Sequence, residues 1–439
     1  MRVKEWNAAL LSRAIAFSLP LILAAYWPFF ALGHSVHLGV VALRALVLAL
    51  VELLALLWFG KTSPPDELRS AAALFTWVGL LLVPALLGDD VSRGMHNWVR
   101  VLPVYAAAVF LARPLRHEGT RKAFSTALGI ACVVSFFFVI VLYLHYAGLK
   151  IPTYDQIRIL KTHVQHSSGV ALNPLAFATI LLAALRLSIG KPRRAEFAAA
   201  IIIAVLASAL TGSRAPLALV LVSLVVTVLV YLLHSRSLLR RTAAYSALCA
   251  IAIAAFLAFQ LAPPELLSSV TEGRYDLWTV GMAKFVESPL FGHGPESWRD
   301  DLITRLPGYY PGSAHLTDLR SGGYHSEYVT LLSEGGLLCF IPAMILLGLL
   351  LHGCWRLAFH RATPPGNAFA LFFTFFLLVF RGTFEVPGLF GYGEDVTDYL
   401  AAVFIAIVIS GLCRCPEARR ARRAVPLIVP PLQVSGELS

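Results

Sequence analysis

The stretch Gly322-Gly323-Tyr324-His325-Ser326-Glu327-Tyr328, followed by VTLLSEGGLLCFIPAMILLGLLL over 329–351, decides the fold. Its polar residues crowd the start, and its apolar part is uncharged from Gly335 onward. A helix rises about 1.5 Å per residue, so about 20 apolar residues cross the hydrocarbon of a bilayer. The run 327–351 is long enough. Reading outward from it, comparable runs lie near 8–31, 38–60, 70–88, 98–113, 123–148, 168–189, 196–212, 215–233, 243–262, 366–385 and 397–412, which makes about twelve spans. The fourth and twelfth are the shortest of these. The expected fold is an all-α polytopic membrane protein, with one large, partly helical outer loop between helices 9 and 10.

Composition agrees. Hydrophobic residues are 58% and charged residues 14%, against about 45–50% and about 25% in soluble domains. These figures exclude a soluble multidomain enzyme and a disordered chain. The net charge of +11 does not point to nucleic acid, because the basic residues are dispersed between apolar runs and form no patch. The six cysteines lie in or near apolar runs or at the C-terminal end, which argues against a disulfide framework. Cys413-x-Cys415 has no second pair with which to build a zinc site.

Lys and Arg orient the spans. With the N-terminus cytoplasmic, the inside segments collect Lys61, Arg69, Arg113, Arg116, Arg121, Lys122, Lys191, Arg193, Arg194, Arg240, Arg241 and Arg356, far more than the short outside loops hold. Both termini are then expected in the cytoplasm. The first apolar run is too long for a cleavable signal peptide, and 424–439 reads as a disordered tail. The large loop, 263–326, faces outward. Within it a helix is expected from Arg274 to Glu287, ended by Ser288-Pro289. A second helix is expected to start at Pro295, a residue suited to a first turn.

The chemistry-bearing residues gather on the outward side. Arg214, in Thr211-Gly212-Ser213-Arg214-Ala215-Pro216, lies in a tight hairpin before a span. A helix N-terminus and a guanidinium there favour an anion; the plainer reading is a snorkelling Arg. Arg274 opens the expected loop helix, where it could equally pair with Asp276 or Glu272. His325 lies behind two glycines at the outer interface. A histidine there can serve as a general base or simply be hydrogen-bonded, and His163, His166, His293 and His315 are outward rivals. Arg381, followed by Glu385, Glu394 and Asp395, and Arg44 could line a polar cavity or form structural ion pairs. Asp89-Asp90 and Asp300-Asp301 are adjacent carboxylates without a third ligand nearby, so no metal site is expected.

Twelve spans, an outward loop between the ninth and tenth, Thr-Gly-Ser-Arg over 211–214 in a tight outer hairpin, and Gly323-Tyr324-His325-Ser326-Glu327-Tyr328 before the next span resemble the O-antigen ligase family. That family shares a superfamily with O-antigen polymerases and bacterial protein O-oligosaccharyltransferases. The histidine motif is the more specific part: His, then Asn, Ser or Gln, nine residues, then Gly, which here is His325, Ser326 and Gly336. The match weakens at Leu337-Leu338-Cys339. The resemblance implies a GT-C-like architecture over 1–423. It also implies transfer of a polysaccharide from undecaprenyl diphosphate to lipid A–core oligosaccharide at the periplasmic face of the bacterial inner membrane, without metal or cofactor. Carried over, His325 matches the essential histidine, Arg214 the hairpin arginine, and Arg274 the arginine that opens the large loop.

The chemistry is reasonable on its own terms. A lipid diphosphate is a good leaving group whose charge needs neutralising, which two guanidiniums and a helix N-terminus can do. A sugar hydroxyl needs a base, and direct attack inverts the anomeric carbon. Tyr275, Trp278, Trp298, Tyr324 and Tyr328 could stack on sugar faces or serve as interfacial aromatics. The nearest rival is a polymerase, described by Arg-x10-Gly; the loop between spans five and six offers one such spacing, from Arg158 to Gly169. A protein glycosyltransferase commonly carries more sequence after its last span. A secondary transporter of an anionic substrate is the rival from another class, but it tends to show repeated halves and polar groups at mid-membrane.

Overall fold

The computed structural model describes residues 3–31, 50, 65–147, 169–190, 193–211, 215–234, 237–271, 273–298, 323–360, 363–384, 389–390 and 396–423. Arg44, Arg214, Asp300-Asp301, Glu385, Glu394, Asp395 and nearly all of the expected span 38–60 lie outside them. Among the described residues all regular structure is helical. The long helices are α1 (Val3–Ala31), α2 (Pro65–Leu87), α3 (Val91–Ala112), α4 (Glu118–Ala147), α5 (Gly169–Ile189), α6 (Arg194–Thr211), α7 (Ala215–Leu233) and α8 (Leu238–Leu261). After the short α9 (Pro264–Val270) come α10 (Arg274–Glu287), α11 (Glu327–Ala358), α12 (Pro365–Phe384) and α13 (Val396–Arg423).

Five helical stretches among the described residues are long and apolar enough to cross a membrane: Glu67–Leu87, Val91–Arg116, Glu118–Val141, Glu327–Ala358 and Pro365–Phe384. Shorter apolar helical stretches run Leu10–Ala24, Leu175–Ile189, Leu217–Leu233 and Thr397–Cys413. The chain is a multi-pass helical membrane protein. Several boundaries differ from the hydropathy reading: α1, α2 and α4 start five residues early and α3 seven, at Val91. α11 continues past 351 to Ala358, and α13 continues past 412 through a basic stretch to Arg423. Apolarity marks where lipid ends, whereas backbone hydrogen bonding can carry the helix further.

The interior is built on α5, α12 and α13. From Leu175 to Leu187 and from Thr397 to Ile409 every side chain but Arg186 and Asp398 is an apolar or small polar group, and all are buried. α5 packs on α4, α6 and α12; α12 packs on α5, α7 and α11; α13 packs on α3 and α11. Buried hydroxyls avoid a desolvation cost by returning to their own helix, as Thr179 does to the Leu175 carbonyl, Ser223 to Leu219 and Thr374 to Ala370. The outer surface is apolar instead. On α11, Leu337, Ile341, Ile345 and Leu349 form one exposed stripe at four-residue spacing, and α7 exposes Leu221, Val225 and Val228. A surface of this kind is solvated by acyl chains, whereas in water each such side chain would cost on the order of 1 kcal/mol or more.

α11 is not the uninterrupted helix that its hydropathy suggests. At Gly336 the backbone turns to φ 59°, ψ −166°. The segment 289–296 enters the gap. Leu337 N–H donates to the Pro289 carbonyl at 2.9 Å and Leu338 N–H to Leu290 at 3.1 Å. In return His293 N–H donates to the Ser333 carbonyl at 3.0 Å and Gly294 N–H to Glu334 at 2.9 Å. The Glu334 carboxylate accepts from Glu296 N–H at 2.9 Å. Backbone groups freed by the break are thus re-paired within the protein, as a span requires. Gly336 is obligatory here: φ is left-handed, and a Cβ would collide with the Leu290 carbonyl.

Candidate functional site at the head of helix α11

Ser326 is the N-cap of α11. Its extended backbone (φ −155°, ψ 119°) lets the hydroxyl accept from Val329 N–H at 3.4 Å, and it also lies 3.5 Å from the Gly382 carbonyl on α12. Glu327 follows, with no exposure to solvent. Its two carboxylate oxygens accept from Leu389 N–H at 3.2 Å and from Phe390 N–H at 2.5 Å. The negative charge also lies in the first turn of α11, where the helix dipole favours it. Gly382 leaves room for this carboxylate, since a Cβ there would stand 2.5 Å from Oε2. Tyr328 donates its hydroxyl to the Val379 carbonyl at 2.9 Å.

On the other side of the histidine, Tyr324 is buried against Leu277 and Val280 of α10, with Trp298 and Val329 beside it. α10 lies close to α11 at Gly281, where a Cβ would strike Val329. Between these anchors stands His325, at φ 48°. Left-handed backbone is uncommon away from glycine and costs about 1–3 kcal/mol unless the surroundings impose it. The residues from Gly323 to Glu327 are buried except His325, which is half-buried. The chain therefore fixes its neighbours and leaves the imidazole at the surface of the junction.

Several expected site residues come to this junction. Trp278 on α10 stands 5.8 Å from Phe384 at the end of α12. Arg381, on the last turn of α12, is buried and places its guanidinium 4.1 Å from the centre of the Phe177 ring on α5. Arg274 is the first residue of α10, preceded by Gly273 at φ 84°. It lies three, four and seven residues before Leu277, Trp278 and Gly281, so all four share the helix face turned to α11. Asp276, one possible partner for Arg274, accepts from the Ser268 hydroxyl. Arg214 and Arg44 lie outside the described residues, but α7 does begin at Ala215, with Pro216 in its first turn.

Other residues expected on the outward side make structural contacts. Asp90 caps α3, accepting from Arg93 N–H at 2.9 Å. Asp89 faces Lys284 at 4.0 Å and His293 Nδ1 at 3.6 Å, and its N–H donates to the His293 carbonyl at 3.1 Å. His293 thus ties the turn between α2 and α3 to α10 and to the segment in the α11 gap. His163, His166 and His315 lie outside the described residues. Among those residues no three His, Cys, Asp or Glu side chains converge as metal ligands would. Pro295 opens a turn over 295–297 with Trp298 beyond it; the rest of the expected helix lies outside the described residues.

Two structural features at this site escape a reading of the sequence. Glu327 passes for an ordinary acidic residue in a first helical turn, and its signal is only its place two residues after His325. The break at Gly336 hides within a stretch of spanning length; the Gly335-Gly336 pair and the closing glycine of the histidine pattern mark the place but not the break.

Residues 199–344 match the family model described as O-antigen ligase (Wzy_C). The match runs from α6 past the Gly336 break and includes Arg214, Arg274, Trp278, His325 and Glu327. No curated protein matches the chain. The likeness to the O-antigen ligase family covers residues 199–344.

Proposed function

We propose that this protein is an O-antigen ligase, a twelve-span GT-C-like glycosyltransferase of the bacterial inner membrane. In this reading residues 1–423 form the transmembrane ligase domain and 424–439 a disordered tail. Both termini are cytoplasmic and the site faces the periplasm. The donor is O-antigen on undecaprenyl diphosphate and the acceptor is lipid A–core oligosaccharide. The observation that carries the reading is His325: it heads the His-Ser-x9-Gly pattern, lies in the family-matched segment, and is the half-buried residue of an otherwise buried turn.

In the reaction the His325 imidazole takes the proton of an acceptor hydroxyl. The oxygen attacks the anomeric carbon as the bond from that carbon to the diphosphate oxygen breaks, and undecaprenyl diphosphate leaves. The configuration inverts. Arg214 and Arg274 neutralise the diphosphate by bidentate contacts, so no metal or other cofactor is required. Arg381 and Arg44 line the cavity, and Trp278 offers a ring to a sugar face. The Tyr328 hydroxyl is committed to Val379, so Tyr328 contributes by holding α11 to α12.

The test is a reconstituted reaction with undecaprenyl-diphosphate-linked glycan and lipid A–core in EDTA. Wild type is expected to give ligated product and His325→Ala none. Arg214→Lys is expected to lose most activity, because an ammonium lacks the guanidinium fork. Lengthened lipid-linked glycan without ligated product would make the protein a polymerase working through the same site. Uptake of an anionic substrate with no covalent product would make it a transporter. Inhibition by EDTA would reopen a metal mechanism.

A further inference from the structure

The left-handed turn at His325 must be imposed by its surroundings, and these can be taken one residue at a time. Tyr324 is held by α10, Ser326 and Tyr328 by the end of α12, and Glu327 by the backbone amides of Leu389 and Phe390. Three of these anchors are uncharged. Glu327 alone brings a carboxylate, with no exposure to solvent, two residues from the imidazole. Removing a carboxylate from water is costly unless strong partners replace the water. Here two amide donors, one on each oxygen, and the head of α11 replace it. Phe390 is itself fixed, because its ring packs edge-on against Trp77 of α2 at 5.6 Å. The carboxylate therefore ties the head of α11, through a short stretch beyond α12, to α2, a helix that also packs on α11.

We infer that Glu327 is a positioning residue: its carboxylate, bridging the Leu389 and Phe390 amides, holds His325 in the geometry that the transfer step uses. It is enclosed and does not itself exchange a proton with substrate. The inference deepens the ligase reading and rests on it for the role of His325.

The amide pair makes the test specific. Glutamine has nearly the volume of glutamate but one acceptor oxygen, so in Glu327→Gln an NH2 group faces a backbone N–H and one of the two bonds is lost. Aspartate keeps both acceptors on a shorter arm. For reconstituted protein, Glu327→Gln is expected to lower kcat at least ten-fold with KM for the lipid-linked donor within two-fold of wild type. Glu327→Asp is expected to recover part of that loss, and the thermal unfolding midpoint checks that both variants are folded. Two readouts do not depend on turnover. Hydrogen exchange at the Leu389 and Phe390 amides should accelerate several-fold in Glu327→Gln. Carbethoxylation of His325 by diethyl pyrocarbonate, located by mass spectrometry, should change rate in the same variant and return toward wild type with aspartate. Wild-type kcat in Glu327→Gln, or unchanged exchange and His325 modification, overturns the inference. If wild-type protein gives no transfer at all, the ligase reading fails, and the exchange and modification rates still decide whether Glu327 holds the His325 turn.

Discussion

The two ends of the helix bundle hold their charges in different ways. At the end where α2 begins and α3 finishes, the buried Glu67 carboxylate meets the Arg116 guanidinium. Nearby, Arg186 meets Glu196 at 3.2 Å and the Ser125 hydroxyl at 3.1 Å. Asn367 closes the same region by donating to the Gly190 carbonyl at 3.1 Å. At the other end, Glu327 is held by backbone amides, Arg381 lies over an aromatic ring, and His325 sits in a left-handed turn. In the first arrangement charge meets charge and the pair's purpose is consumed in fixing helices. In the second, backbone amides and an aromatic ring share in holding the charge, beside contacts such as that of Asp89 with Lys284.

The contrast can be broken experimentally. The largest effect is expected at His325. Replacing it with glycine suits the left-handed backbone, so stability should hold or rise by up to about 1 kcal/mol. Transfer should fall about 10²–10⁴-fold, the usual range for a lost general base. Thermal unfolding in detergent beside a transfer assay reads both, and a loss of stability would mean that the imidazole is structural. Arg116→Ala should do the reverse. It removes the guanidinium that meets the Glu67 carboxylate and should cost up to about 3–5 kcal/mol of stability, while the protein that stays folded keeps wild-type KM for the donor; a raised KM would extend the substrate site across the bundle.

Gly336→Ala is expected to cost at least about 2 kcal/mol, since the left-handed φ and the Leu290 carbonyl both oppose a Cβ. A stable, fully active Gly336→Ala protein would show that the gap in α11 can close. The smallest effect is expected at Phe177→Leu, which keeps an apolar contact but removes the ring beneath Arg381. A loss of about 1 kcal/mol matches a partly desolvated cation–π contact. If stability stays put and donor KM rises, the ring serves chiefly to aim Arg381.

Much of this fold was legible in the sequence because a bilayer imposes one length on every span. The runs 168–189 and 215–233 became Gly169–Ile189 and Ala215–Leu233, and Ser288-Pro289 ended α10 where expected, at Glu287. Hydropathy is blind to φ, however, so 327–351 read as one helix although Gly336 divides it. It also cannot tell one carboxylate from another. Asp89-Asp90 drew attention as an adjacent pair, yet Asp90 caps a helix and Asp89 faces Lys284 and His293. Glu327 drew none, because only the folded chain brings the amides of residues 389 and 390 to it. The histidine motif was readable as pattern; the left-handed turn that distinguishes His325 was not.

The gap in α11 also bears on how the protein is made. A span normally completes its hydrogen bonds alone and can enter the bilayer before its neighbours are in place. α11 cannot, because the partners of Leu337 and Leu338 are carbonyls on the segment between α10 and α11. Until that segment is seated, unpaired backbone groups lie within a stretch of membrane-spanning length, at several kcal/mol each. Insertion of this span and folding of the loop before it therefore form a single step. A lesion in residues 289–296 should then be felt first during biogenesis, as a span that fails to settle and a chain open to membrane proteases, before any enzyme exists to be assayed.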